Sequence, residues 1–278
     1  MNKIKLLSPP LPLTIVGLFF IVLIGATWIY WAGLHGTYLL DDNPNLSSLG
    51  DINESTDKFT EIVRFTTEGT AGQLGRPVSL ITFALQTHYW HGNVWHFRYV
   101  NLMIHLVSGC LIFWLLLYLT RIMALPEKRG LWLALLTTSL WLLHPFQVST
   151  VLYVVQRMTE LSALFTLAAL LIYVRSRQRF AEGLLTPTAF WISISIGIGL
   201  GGILATLSKE NGVLLVLYVL VLEATVLRTL PKPRYWPIWG GLFLYLPLLI
   251  LASYFIWHFN GILGGYQIRH FTMGERLL

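Results

Sequence analysis

The chain has 278 residues, 55% of them hydrophobic and 12% charged, against roughly 25% charged in a typical soluble domain. That balance excludes a soluble enzyme built on one large core and points to a polytopic membrane protein. The formal charge of +6 implies no nucleic-acid partner, because basic residues in membrane proteins collect in cytoplasmic loops.

The first apolar run covers residues 11–31 and follows Met-Asn-Lys-Ile-Lys. About 20 apolar residues span a bilayer and exceed a signal-peptide core. Trp28, Tyr30 and Trp31 stand where a small-residue cleavage site would be, so the segment reads as a retained signal anchor. Further apolar runs predict spans over 100–120, 131–143, 148–174, 189–207, 213–227 and 236–257, about seven in all. The third and sixth are short. Cys110 lies within the second run as the single cysteine, so no intrachain disulfide forms. The expected fold is all-α: a polytopic membrane helical bundle forming one domain over 1–278, with a long structured first outer loop.

The charges alternate with the spans. Lys3 and Lys5 precede the first; Arg121, Lys128 and Arg129 follow the second; Arg175, Arg177 and Arg179 follow the fourth; Arg228, Lys232 and Arg234 follow the sixth. The positive-inside rule places the N-terminus and these loops in the cytoplasm. Residues 33–98, the His144-Pro145 turn, the Ser208-Lys209-Glu210 turn and the C-terminal tail then share the outer side. Asp41, Asp42, Asp51, Glu54, Asp57, Glu61 and Glu68 all fall in the 33–98 loop.

A loop that long needs structure of its own. Phe59, Ile62, Val63 and Thr66 recur at helical spacing, with Ser55, Thr56 or Asp57 to cap and Gly69 to stop an amphipathic helix. Arg76-Pro77 opens a second over 78–90, with proline suited to a first turn. In the fifth span, "IGIGLGG" reads as a small-residue face for helix packing; a phosphate loop would need a preceding strand and a lysine in register.

Four polar groups fall on the outer side, and each has a plain structural reading beside a functional one. Asp41 and Asp42 form either a solvated turn before Asn43-Pro44 or a carboxylate base; in an extended segment only one would face a given site. Arg157 and Glu160, three apart on the fourth span, form an intrahelical pair or mark an intramembrane site in which Arg157 binds a phosphate. Lys209 and Glu210 make a solvated turn or a positive group for an anion. Arg76, His88, His91, His96, Arg98, Asn101 and His105 crowd one interfacial region. Their histidines lack the spacing of a zinc site, while Asn101 and His105, four apart, share one helix face.

The ordered set "LLDDNPNL", "GRPVSLITFALQTHYW", "HFRYVNLMIHL", "LHPFQVSTVLYVVQRMTELSALF" and "LSKENGVLLVLYVLVLE" resembles the GT-C type membrane glycosyltransferases. It is most similar to the transmembrane region of the TPR-containing protein O-mannosyltransferases and their bacterial relatives. The resemblance implies a polyprenyl-phosphate sugar as donor, and a hydroxyl on a protein or glycan as acceptor. Matched residue by residue, Asp42 and Asp41 are the catalytic acids, with Asp42 preferred as base. Arg157, Lys209 and Arg76 bind the donor phosphate, and His144, Glu160, Glu210, Asn101 and His105 line the site. A divalent metal between phosphate and Asp41 suits carboxylate chemistry. The family continues with further spans, so a truncated chain is expected. The alternative is an inactive scaffold subunit of a larger membrane complex, with a partner membrane protein. A transporter is disfavoured because no internal repeat is seen. The expected location is the bacterial inner membrane, with the site facing the periplasm.

Overall fold

The computed structural model describes residues 11–69, 72 and 74–258. Among them there is no strand. The tail from 259 onward, including the expected outward-facing tail, lies outside the described residues. The chain divides into two compact units, Met1–Pro231 and Lys232–Leu278.

The first unit holds eleven α-helices among its described residues: α1 Leu13–Trp31, α2 Asp42–Leu46, α3 Leu49–Glu54, α4 Lys58–Glu68, α5 Pro77–Ala84, α6 Trp95–Ile122, α7 Glu127–Leu143, α8 Gln147–Leu152, α9 Arg157–Ala181, α10 Pro187–Ser208 and α11 Leu215–Ala224. The second unit holds α12 Trp236–Gly240 and α13 Leu246–Trp257, joined by a π turn over Gly241–Tyr245. Pro247 lies one residue inside α13 and has no N–H for the preceding turn, which accounts for the irregular winding there.

Five segments are long and apolar enough to cross a membrane: Leu13–Leu34, Trp95–Ile122, Val154–Ala181, Pro187–Ser208 and Trp236–Trp257. The chain is thus an integral, multi-pass helical bundle. The two other expected spans are shorter helices that still run the height of the bundle. Helix α7, 17 residues long, lies antiparallel along α6, with Gly130 against Thr120 at one end and Leu142 against Gly109 and His105 at the other; α11 has 10 residues after a 3-10 turn over Glu210–Leu214, and its segment runs from Glu210 on Arg76 to Glu223 on Arg177. Helix α7 still packs along α1 and α6. The run over 148–174 also departs from expectation, because it is broken at Tyr153 into α8 and α9.

Helix α10 shows how the bundle is assembled. Ile192, Ile196, Leu200 and Ile203 are exposed along one side, an apolar row suited to lipid contact. Gly197 and Gly201 lie against α9: a Cβ on Gly197 would stand 2.8 Å from Ile172 Cγ2, and one on Gly201 2.7 Å from the Ala169 Cβ. Small residues let helices approach this closely in lipid, where burial alone drives little association.

The 33–98 loop folds as a helical cap. Leu46, Leu49 and Ile52 from α2 and α3, Phe65 from α4, and Leu80 and Phe83 from α5 share one core with Phe97 of α6 and Val154, Val155 and Met158. Helix α4 starts and stops as predicted. The Asp57 side chain caps it by accepting the Thr60 N–H at 3.2 Å, and Gly69 closes it. Its inward face is rotated from the expected stripe: Phe65 and Ile62 pack inward, while Phe59 is 76% exposed. Helix α5 ends at Ala84, and a 3-10 turn Thr87–Tyr89 takes up the remainder of the expected 78–90 helix. The expected turn at 41–45 is the start of α2.

The close α9–α10 contact is open to test. Gly201→Val forces Ala169 aside and is expected to cost about 1–3 kcal/mol by overpacking, read as a lower thermal midpoint in detergent. An unchanged midpoint would show that the two helices do not meet there.

Candidate functional site

The break between α8 and α9 organises the polar residues. Tyr153 is extended, with φ −97° and ψ 117°, so backbone groups around it lose their helical partners. Buried backbone groups must find others. Asn101 Nδ2 donates to the Tyr153 and Val154 carbonyls at 3.2 and 3.3 Å. The Val155 N–H donates to Asp42 Oδ1 at 3.0 Å. Residues from the cap and from α6 therefore complete a turn in a third part of the chain.

Asp42 is fully buried. Its second oxygen, Oδ2, accepts the Leu39 N–H at 2.8 Å. Asp41 is exposed; its N–H donates to Tyr153 Oη at 2.7 Å, and its carbonyl accepts from Asn45 Nδ2 at 2.8 Å. The two carboxylates do face different ways, and the open one is Asp41. Leu40, just before them, has φ 25°, a left-handed conformation that an ordinary side chain adopts only under constraint. The approach segment is clamped by Arg98, which donates to the Gly33, His35 and Thr37 carbonyls at 2.8–3.0 Å. A cleft of about 190 Å³ opens between α2 and α4, lined by Asn45, Ser48, Glu61, Arg64 and Glu68 among others.

A second polar group lies at the other end of the same short strip. Arg76 grips Glu210 with two nitrogens, Nε at 3.1 Å and Nη2 at 2.8 Å to Oε2, and its Nη1 meets Met158 Sδ at 3.4 Å. Arg76 itself is left-handed, φ 50° and ψ 49°, immediately before Pro77 opens α5. Lys209 Nζ donates to Thr159 Oγ1 at 2.6 Å, and Thr159 donates on to Gln156 Oε1 at 2.6 Å. Burial, then the Arg76 charge, hold Lys209 below the usual lysine range. Burial raises Glu210, but the hydrogen bonds and charge of Arg76 outweigh it and leave that carboxyl below its ordinary value. Ser79 Oγ donates to the Ser208 carbonyl at 2.9 Å, tying α5 to the end of α10.

Arg157 sits beneath the strip, fully buried. It donates to Asn101 Oδ1 at 2.9 Å, to the Thr82 carbonyl at 3.2 Å and to the Phe97 carbonyl at 2.8 Å. Its guanidinium carbon lies 4.3 Å from the Phe83 ring centroid, a cation–π contact. All of these partners are protein groups. The intrahelical pair with Glu160 is not formed; both Glu160 oxygens are buried without a hydrogen-bond partner. His105 is buried too, with Nε2 donating to the Leu142 carbonyl at 3.0 Å and its ring stacked on Trp141. His144 is exposed, and its Nδ1 accepts the Phe146 N–H at 3.2 Å.

The structure thus joins Asp41, Asp42, Asn101, Arg157, Lys209, Glu210 and Arg76 through residues 153–159. Glu160 and His105 lie within the bundle, and His144 caps a separate turn. Tyr153 and Thr159, which tie Asp41 and Lys209 to this segment, were not singled out by sequence. Their one signal is a polar rhythm, Tyr-Val-Val-Gln-Arg-Met-Thr-Glu, inside an apolar run. Among the described residues no three His, Cys, Asp or Glu side chains gather as metal ligands. With Asp42 held by two N–H donors, Asp41 offers one open carboxylate, a poor fit to a protein-held divalent cation.

No protein-family model matches the chain, and no solved structure does. The chain is 31% identical over 149 residues to human "Protein O-mannosyl-transferase TMTC1" and 30% identical over 149 residues to the mouse protein of that name. The match takes in 52% of this chain and 16% and 15% of those relatives. It supports a distant relationship to protein O-mannosyl-transferases over half of this chain. Both relatives are mammalian, which lends no support to a bacterial placement.

Two outcomes follow from this geometry. Asn101→Leu strands the Arg157 Nε and two carbonyls, and is expected to cost on the order of 3 kcal/mol or more, read as loss of folded protein in detergent. A near-neutral effect would show that Asn101 does not hold the break. The second concerns pH. Burial pushes Asp42 above its ordinary 3.8, more than the Leu39 and Val155 N–H groups and Arg98 pull it down. The folded chain then binds more protons than the unfolded one between those values, so this contribution to stability is full at low pH and is lost as pH rises through the folded value. Asp42→Asn should flatten that part of a midpoint-against-pH curve; an unaltered slope would assign it to another group.

Proposed function

We propose that the chain is a membrane-embedded glycosyltransferase of GT-C type. It moves a sugar from a polyprenyl-phosphate donor to a hydroxyl on a protein or glycan, at the face opposite the basic loops. The observation that carries this reading is the similarity to protein O-mannosyl-transferases. An open carboxylate and a cationic group held on one strip of chain support it.

Asp41 is the base in this reading, because a base must reach the proton it removes. Asp42 is enclosed, with both oxygens already accepting, and holds the turn. As Asp41 takes the acceptor's proton, the acceptor oxygen bonds to the anomeric carbon, and the bond from that carbon to the phosphate oxygen breaks. The lipid phosphate leaves with the electron pair, and direct displacement inverts the anomeric centre. Lys209 balances the leaving charge. Among the described residues Glu210 is already bound to Arg76, while Lys209 Nζ meets the Thr159 hydroxyl rather than a carboxylate, and a phosphodiester donor carries a single negative charge. Arg157 supports the site from below, its donors being held by protein acceptors. The lipid chain remains in the bilayer, and the acceptor approaches Asp41 from its exposed side.

Asp41→Asn is expected to reduce sugar transfer by about 10²–10⁴-fold, measured in membranes with a polyprenyl-phosphate mannose donor. Lys209→Met should lower transfer as well, while Asp42→Glu should act chiefly on folded yield. Transfer undiminished in Asp41→Asn would remove that residue from the role.

A further inference from the structure

Among the described residues, the Tyr153 side chain joins the break in the bundle to the residue that carries the open carboxylate. Its Oη accepts the Asp41 N–H at 2.7 Å. The phenol is raised above its ordinary value, first by burial and then by the charges of Asp41 and Asp42, so it remains a proton donor near neutral pH. The ring packs against the core shared by the cap and α9. Its carbonyl is held by Asn101, which Arg157 holds in turn. A phenol fixed at its backbone and its ring thus anchors the Asp41 backbone by a hydrogen bond. Asp41, preceded by a strained Leu40, gains its place from this contact.

We propose that Tyr153 is the positioning residue for Asp41, holding its backbone, and with it the carboxylate, in the place from which it meets the acceptor hydroxyl. This rests on the glycosyltransferase reading above. It adds a residue that does not touch the donor or the reacting atoms and acts only through Asp41.

Tyr153→Phe keeps the ring and removes the hydroxyl. Membranes carrying the full chain would be assayed with dolichyl-phosphate [³H]mannose and a threonine-rich synthetic peptide. The expected result is a fall in kcat of about tenfold, the scale of a lost hydrogen bond, with KM for the donor within about twofold. In an Asp41→Asn background the same substitution should add no further loss, because both changes remove one unit. Equal losses in the two backgrounds would overturn the proposal, since a general structural effect does not depend on Asp41. A second readout needs no turnover. Labelling by a water-soluble carbodiimide, read by mass spectrometry, should proceed several-fold faster at Asp41 in Tyr153→Phe than in the unaltered chain, with Asp51 and Asp57 unchanged. Identical Asp41 rates would overturn the restraint itself. An unaltered chain that transfers no mannose overturns the catalytic part together with the glycosyltransferase reading, and the labelling rates still decide whether Tyr153 restrains Asp41.

Discussion

A helix interrupted in a buried part of the chain leaves backbone groups that need partners from elsewhere. At the junction of α8 and α9, Asn101 and Asp42 provide the missing partners. Most of the polar architecture follows from that requirement. Asn101 is in place because Arg157 donates to its Oδ1. Asp42 is in place because the cap packs its own apolar residues onto Val154, Val155 and Met158. The cap, α6 and α9 are therefore cross-braced at one level, and displacing any of the three unmakes hydrogen bonds belonging to the other two.

The bundle treats its two buried arginines differently. Near the far end of α9, Arg177 is paired with Glu223 through Nε at 2.6 Å, and it donates to the Pro231 carbonyl. That is charge meeting charge. Arg157, at the near end, is surrounded by neutral acceptors and an aromatic face. Carbonyl dipoles stabilise its cation without cancelling it.

Hydropathy located the long helices because lipid-facing and core-facing positions are both apolar, so length alone marks them. The same property hid the break at Tyr153, since nothing in an averaged window distinguishes a continuous helix from two helices joined by one extended residue. The α4 caps were legible, because Asp57 and Gly69 act within a few residues of sequence. The inward face of α4 was not: Phe59 and Phe65 are equally apolar, and only packing against α2, α3 and α5 chooses Phe65. Asp41, Asp42, Arg76, Asn101, Arg157, Lys209 and Glu210 were recognisable as polar residues out of place. Their partnerships were not, because Asp42 meets Val155 across 113 residues and Arg157 meets Asn101 across 56.

The adjacency of Asp41 and Asp42 has a physical rationale within the proposed function. A base on a solvent-facing loop needs freedom to accept a proton and restraint to be in place when the acceptor arrives. One side chain cannot readily supply both, since the hydrogen bonds that fix a carboxylate also occupy its lone pairs. Two neighbouring carboxylates pointing opposite ways separate the demands. Asp42 turns inward and ties the chain to α9 through Val155, and the backbone then carries Asp41 outward to a known place. Leu40 takes the conformational strain of that reversal. Because Tyr153 lies two residues from Val155, both restraints on the pair come from the same broken segment of helix. The break is then the feature that gives an exposed carboxylate a fixed position relative to Lys209, whose Nζ is held by Thr159 on the first turn of α9.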